Sequence, residues 1–284
     1  MTKLLVCIDG SAYADNVCII AAWAAGRMKA EVDLLHILRR HSDYEAPADD
    51  HTGAIGMGAR AHLLDSLTKV DEERGKLDQK KGKLILAHGE EVLNAAGAKS
   101  VNTLHRRGDL VETLLELEES AEIIFVGKRG EHANTDSEYL GSNLEKMARA
   151  VHKPLFLVGR KVPDIKRFLI AYDGKENVQK AVDYIASQPL LKGLECHLLT
   201  VDSGHGATDT TASEEKLSKA GFIVTVTAEQ NAHADKAIAD YVAANEIDLL
   251  VTGAYSHSRL RSMLLGSTTA ALIKECHVPL LLFR

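Results

Sequence analysis

Apolar runs of four to six residues alternate with stretches whose apolar positions recur every three or four residues, and this alternation runs the length of the chain. Runs so uniformly apolar suit strands buried on both faces, as in a parallel sheet. They predict strands over 3–8, 31–38, 83–88, 121–126 and 154–158, and then over 167–172, 194–201, 222–227, 247–252 and 279–283. Helical spacing marks Ala14 to Met28, Leu110 to Leu117, Leu144 to Val151 and Asp235 to Ala244. Strands alternating with helices predict a doubly wound α/β fold.

The pattern occurs twice. Leu4-Leu-Val-Cys-Ile-Asp-Gly-Ser11 matches Phe168-Leu-Ile-Ala-Tyr-Asp-Gly-Lys175, with Asp9 and Asp173 separated by 164 positions. The same offset pairs Glu31-Val-Asp-Leu-Leu-His-Ile37 with Glu195-Cys-His-Leu-Leu-Thr-Val201. Further along, Ile123-Ile-Phe-Val-Gly127 matches Leu249-Leu-Val-Thr-Gly253, and Leu140-Gly-Ser142 matches Leu265-Gly-Ser267. His152-Lys-Pro-Leu-Phe-Leu157 matches His277-Val-Pro-Leu-Leu-Leu282, and here the offset is about 125. A tandem duplication follows, with some 38 extra residues in the first copy. We therefore expect two α/β domains, 1–160 and 165–284, the first with an insertion near 45–82. That insertion, with Gly53, Gly56 and Gly58 and then the charge-rich Lys69 to Lys83, reads as a loop followed by a solvated helix. The polar stretch around Pro163 is too short to let the halves tumble freely, so they should pack together.

Composition removes several function classes. With 284 residues, 45% hydrophobic and 26% charged, the chain has enough apolar material for two cores. Its 34 basic against 40 acidic residues give a net charge of −6, so no basic excess exists to neutralise a nucleic-acid backbone. No apolar run reaches the roughly 18 residues of a membrane-spanning helix, and no secretory signal opens the chain. Cys7, Cys18, Cys196 and Cys276 are scattered without a Cys-x-x-Cys pair, which suits reduced core residues in a cytoplasmic protein. No histidine pair has the i, i+4 spacing with an acidic third ligand that a helical zinc site needs; His36 and His41 are merely near each other. Neither a Gly-x-Ser-x-Gly elbow nor a Walker Gly-x4-Gly-Lys-[Ser/Thr] appears. Trp23, on an apolar helix face, reads as core.

Candidate chemistry gathers at strand ends. In an open α/β sheet, ligands bind beyond the carboxyl ends of strands where the strand order reverses. Asp9 and Asp173 end the first strand of each copy, although Asp-Gly is also a turn signal and either Asp can serve as a cap. After the fourth strand of the second copy comes Gly253-Ala-Tyr-Ser256-His-Ser-Arg, then Gly266-Ser267-Thr268-Thr269 opening a helix. Small and hydroxyl residues ahead of a helix offer outward N–H groups at the positive end of the dipole, a ready anion site. Ser267 can equally be a simple cap.

These motifs resemble those of the universal stress protein family, whose nucleotide-binding members carry Gly-x2-Gly-x9-Gly-[Ser/Thr]. The second copy reads Gly253-x2-Ser256-x9-Gly266-Ser267 and the first Gly127-x2-Gly130-x10-Gly141-Ser142. The Asp-Gly ending and the closing His-x-Pro-apolar strand are similar too, so the resemblance covers nearly the whole chain in tandem form. It implies a five-stranded parallel sheet in the order 3-2-1-4-5 in each domain. The fifth strands would meet as subunits do in single-domain members, making an intramolecular pseudo-dimer and leaving a further homodimer open. It also implies that Asp173 and Asp9 lie by the ribose and adenine, and that the backbone of Val201 or Ile37 touches adenine. Gly253, Gly266, Ser267, Thr268 and Thr269 would hold the phosphates, with Gly127, Gly130, Gly141 and Ser142 as their first-copy counterparts.

Each copy departs from the motif. Ser256 replaces the middle Gly in the second, at a strain of roughly 1 kcal/mol if that position needs a positive φ. The first has one residue too many, Leu144 where the second has Thr269, and Glu131, Asp136 and Glu138 in the loop. Carboxylates there repel a triphosphate. The expectation is a stress-response regulator that binds ATP or a related adenine nucleotide, with or without magnesium, first in its C-terminal half. Two other readings stay open: a slow ATPase, for which only His257 offers a base, and an adaptor that binds no nucleotide.

Overall fold

Ten strands hydrogen-bond edge to edge in one sheet in the computed structural model, which describes residues 2–38, 57–130, 142–202, 207–230, 233–254 and 266–284. The first half supplies β1 (Lys3–Cys7), β2 (Glu31–Leu38), β3 (Val101–Arg107), β4 (Ile123–Gly127) and β5 (Leu155–Val158). The second supplies β6 (Arg167–Ala171), β7 (Glu195–Asp202), β8 (Val224–Gln230), β9 (Leu249–Gly253) and β10 (Leu280–Phe283). Across the sheet the order is β3-β2-β1-β4-β5-β10-β9-β6-β7-β8, so each half runs 3-2-1-4-5. Every pairing is parallel except the seam, where β5 and β10 run antiparallel with Phe156 opposite Leu281. An antiparallel seam between like halves makes a pseudo-two-fold, with the fifth strands meeting as the resemblance implies.

Helices cover both faces because strand side chains alternate sides. On one face lie α1 (Ala14–Met28), α2 (Met57–Ala95), α5 (Glu176–Ser187) and α6 (Thr211–Lys219), packed on residues such as Val6, Phe125, Phe156 and Ile170. On the other lie α3 (Leu110–Leu117), α4 (Ser142–Ala150), α7 (Ala234–Ala244) and α8 (Ser267–Glu275), packed on Leu5, Ile124, Leu157 and Leu250. Both apolar layers run unbroken across the seam, so the halves share their core. Trp23 packs against it, half-buried under the Arg27 guanidinium. The four cysteines are unpaired, and burial pushes the Cys18 and Cys196 thiols up to about 12, which leaves them unreactive at neutral pH.

One expected strand is not a strand. Residues 83–88 lie inside α2, a helix of 39 residues, and the third strand of the first half is Val101–Arg107. Leu84-Ile-Leu86 mimics a buried strand in sequence, yet Leu84 is exposed while Leu86 is buried, as a helix demands. The extra residues of the first copy thus lengthen the helix between strands two and three, whose counterpart α6 has 9 residues. Lys69 to Lys81 is its solvated part.

Candidate functional site

The two halves bring matching constellations to the carboxyl edge of the sheet. In the first, Asp9 follows β1, and its Oδ1 accepts a hydrogen bond from the Ser11 N–H at 3.0 Å. The loop after β4 closes on it: a Cβ added at Gly130 would stand 2.9 Å from Asp9 Oδ2, so a larger residue there would push the carboxylate aside. Tyr13 leans on Gly127, where an added Cβ would meet Tyr13 Cβ at 3.0 Å. The Tyr13 hydroxyl accepts from Arg160 Nε at 3.2 Å, and the guanidinium lies over the ring. Asp9, Gly127 and Gly130 are therefore together, with Ile37 half-buried near the end of neighbouring β2. Ser142 opens α4, whose first turn carries Glu145, a carboxylate unfavourable to an incoming anion. Gly141 and the loop carboxylates Glu131, Asp136 and Glu138 lie outside the described residues.

In the second half Asp173 follows β6, exposed, with Oδ1 accepting from Lys175 N–H at 3.1 Å and Oδ2 facing the Lys175 ammonium at 3.4 Å. Gly174 turns the chain at φ +71, a conformation that suits glycine. Val201 is half-buried near the end of β7, beside β6. Gly253 ends β9 against α5, where an added Cβ would meet Asn177 Cβ at 3.1 Å. Gly266 caps α8, and the first bond within that helix runs from Ala270 N–H to Gly266 O at 2.9 Å. The N–H groups of Ser267, Thr268 and Thr269 are then the ones an α-helix leaves without partners inside itself. No acidic residue lies in this first turn, and Ser267 and Thr268 are exposed. Thr269 differs: it is buried, and its hydroxyl donates to Gly253 O at 3.2 Å, tying helix to strand and leaving only its N–H outward. Ser256 and His257 lie outside the described residues.

Sequence reasoning missed Lys128. It follows Gly127, yet its ammonium reaches into the other half, donating to Cys276 O at 2.5 Å and Val278 O at 2.8 Å. Burial lowers its pKa to about 8. These carbonyls follow the C-terminal end of α8, where a cation is favoured. The glycine-bearing end of β4 in one half is thereby fastened to the helix whose other end opens the second half's candidate anion site. Its counterpart is Ala254, so alignment of the copies marks the position as different without indicating where the side chain goes. Among the described residues, no three His, Cys, Asp or Glu side chains cluster as a metal site would.

The fold defines a tandem, doubly wound α/β protein, with an aspartate and a helix N-terminus at the carboxyl edge of each half, the edge where open sheets of this kind take ligands. Within that class the chain belongs to the universal stress protein family, whose model matches residues 1–159 and 202–284. A universal stress protein of Synechocystis sp. is 34% identical over 288 residues, covering all of both chains. Among solved structures, a universal stress protein from Archaeoglobus fulgidus superposes with a TM-score of 0.68 at 21% identity, covering 99% of this chain and 96% of that one. A functionally unknown protein from Pseudomonas aeruginosa PAO1 gives 0.61 at 16% identity, covering 100% and 92%. The likeness to these two concerns the fold.

Proposed function

We propose that this universal stress protein is a cytoplasmic regulator that binds ATP or a related adenine nucleotide in its C-terminal half. The observation that carries the reading is the opening of α8: three outward N–H groups, two exposed hydroxyls and no carboxylate. Phosphate oxygens satisfy those donors and the helix dipole together. Gly253 and Gly266 let the backbone approach the phosphates, Asp173 and the Val201 backbone take the ribose and base, and Ser256 stands between the two glycines in sequence. Magnesium would sit on the phosphate oxygens. Asp173 is held by Lys175, which a ribose hydroxyl must displace or share.

The N-terminal half is the weaker binder, because Glu145 opposes an anion at the first turn of α4, where α8 has no acidic residue. That half suits an adaptor role, with 1–160 and 165–284 as the two units. Hydrolysis is not the purpose of such a site: without a Walker lysine, turnover should fall well below the roughly 10 s⁻¹ of dedicated enzymes. Native mass spectrometry of the purified chain tests the reading. One adenine nucleotide per chain supports it, and a chain that neither carries nor takes up ATP at millimolar concentration overturns it.

A further inference from the structure

Helix α2 is two-faced. Gly75, Gly82 and Gly89 recur every seven residues on one side, and that side lies down on the sheet. An added Cβ at Gly82 would meet His105 Nε2 at 2.4 Å, and one at Gly89 would meet Ile8 Cδ1 at 2.5 Å. Five residues on from Leu77, Gly82 is turned roughly 140° around the helix. On that far side, Val70, Leu77 and Leu84 also recur every seven residues, and they are 59%, 65% and 71% exposed. Seven residues drift only about 20° around a helix, so these three make one straight apolar seam about four turns long. These are three of the seven large apolar residues exposed in the described structure. A solvated helix has no reason of its own to line up apolar residues this way.

We propose that this seam is a docking surface for a second copy of the chain, laid antiparallel with Leu77 on the dyad. Charge selects that occupant. Glu73 and Lys80, both exposed, flank the same side of the seam, four residues before and three after Leu77. In an antiparallel pair the same flanks meet, so Glu73 of each copy faces Lys80 of the other while Val70 packs against Leu84. On the opposite flank Arg74 of each copy would meet Lys81 of the other, a like-charge pairing offset in part by Asp78 beside them, and all three are already engaged within the chain. Four turns bury far less than a permanent interface, so the dimer is concentration-dependent, with a Kd on the order of 10 μM. This surface lies on α2, away from the β5–β10 seam that joins the halves, and it does not depend on nucleotide.

Sedimentation equilibrium on the full chain tests it. A species of twice 30.8 kDa should appear with concentration. Leu77→Glu, which sets two carboxylates face to face on the dyad, should weaken it more than about 100-fold. Because Leu77 is exposed in the monomer, the variant's circular dichroism should not change, nor its melting at concentrations well below the dimer Kd. Lys80→Glu should weaken the dimer about tenfold, and Glu73→Lys combined with Lys80→Glu should restore it to within about threefold. The proposal is overturned by a monomer at about 300 μM, by a dimer indifferent to Leu77→Glu, or by a double variant no tighter than the single.

Discussion

The packing of α2 on the sheet can be tested with one substitution made at two glycines. In Gly26→Ala the new methyl group projects into open space, since nothing lies within 4 Å of it on α1. Alanine then contributes its helix propensity alone, about 1 kcal/mol of stabilisation. Gly82→Ala carries the same propensity gain but sets a methyl 2.4 Å from His105 Nε2, 2.7 Å from His105 Cε1 and 2.8 Å from His36 Cδ2. His105 is half-buried on an edge strand with its Nε2 covered, and His36 is buried with its Nδ1 bonding Ile8 O at 2.9 Å. The helix must therefore lift or that bond must break, and overpacking of this kind costs typically 1–3 kcal/mol. The net expectation is destabilisation by about 1 kcal/mol, so the two variants differ in sign. Urea unfolding followed by circular dichroism measures both, and the melting points should move by roughly 2–4 °C in opposite directions. If Gly82→Ala stabilises as much as Gly26→Ala does, α2 does not lie against the histidines.

Two further predictions concern pH. Lys128 should make stability rise on the alkaline side: between about 8 and its ordinary 10.5 the unfolded chain holds a proton that the folded chain has lost. The rise is at most about 3 kcal/mol, because the two carbonyls favour the charged form, and Lys128→Met should abolish it. Parallel stability curves for the two proteins between pH 7.5 and 10 would refute this. His105 titrates below its usual range, through burial first and then the His36 and Lys83 charges. The folded state therefore prefers neutral His105, and the stability this gives is full above pH 6.5 and is lost as pH falls through the lowered value. His105→Gln should flatten the acid limb of the unfolding midpoint between pH 7 and 5, and an unchanged limb would refute the assignment.

Much of this architecture is legible where the residues leave one solution. Leu110–Leu117 stands in the sequence as an apolar helical run behind Asp109, whose Oδ1 caps it through Val111 and Glu112 N–H at 2.8 and 3.0 Å. The central strands read clearly because both of their faces are buried. β3 does not, because it is an edge strand carrying Asn102, Thr103, His105, Arg106 and Arg107. A nearby Leu-Ile-Leu in a helix outcompetes it in any reading by apolar runs. The repeat held the missing signal: Val101-Asn-Thr-Leu aligns with Val224-Thr-Val-Thr of β8. At the site, sequence places Asp9, Gly127 and Gly130 together, as found, since topology alone brings strand ends to one edge. It could not foresee that the Thr269 hydroxyl turns inward to Gly253, nor that Lys128 crosses the seam, because both depend on distances between elements.

The central claim, adenine nucleotide in the C-terminal half, is tested most directly by thermal unfolding with and without ATP in Asp173→Ala and Asp9→Ala. At 100 times its dissociation constant, ATP should stabilise the wild-type protein by about 2.7 kcal/mol, a shift on the order of 10 °C. Asp173→Ala should erase that shift and Asp9→Ala should leave it largely intact. A shift that survives Asp173→Ala but vanishes in Asp9→Ala would contradict the account and move the site to the other half.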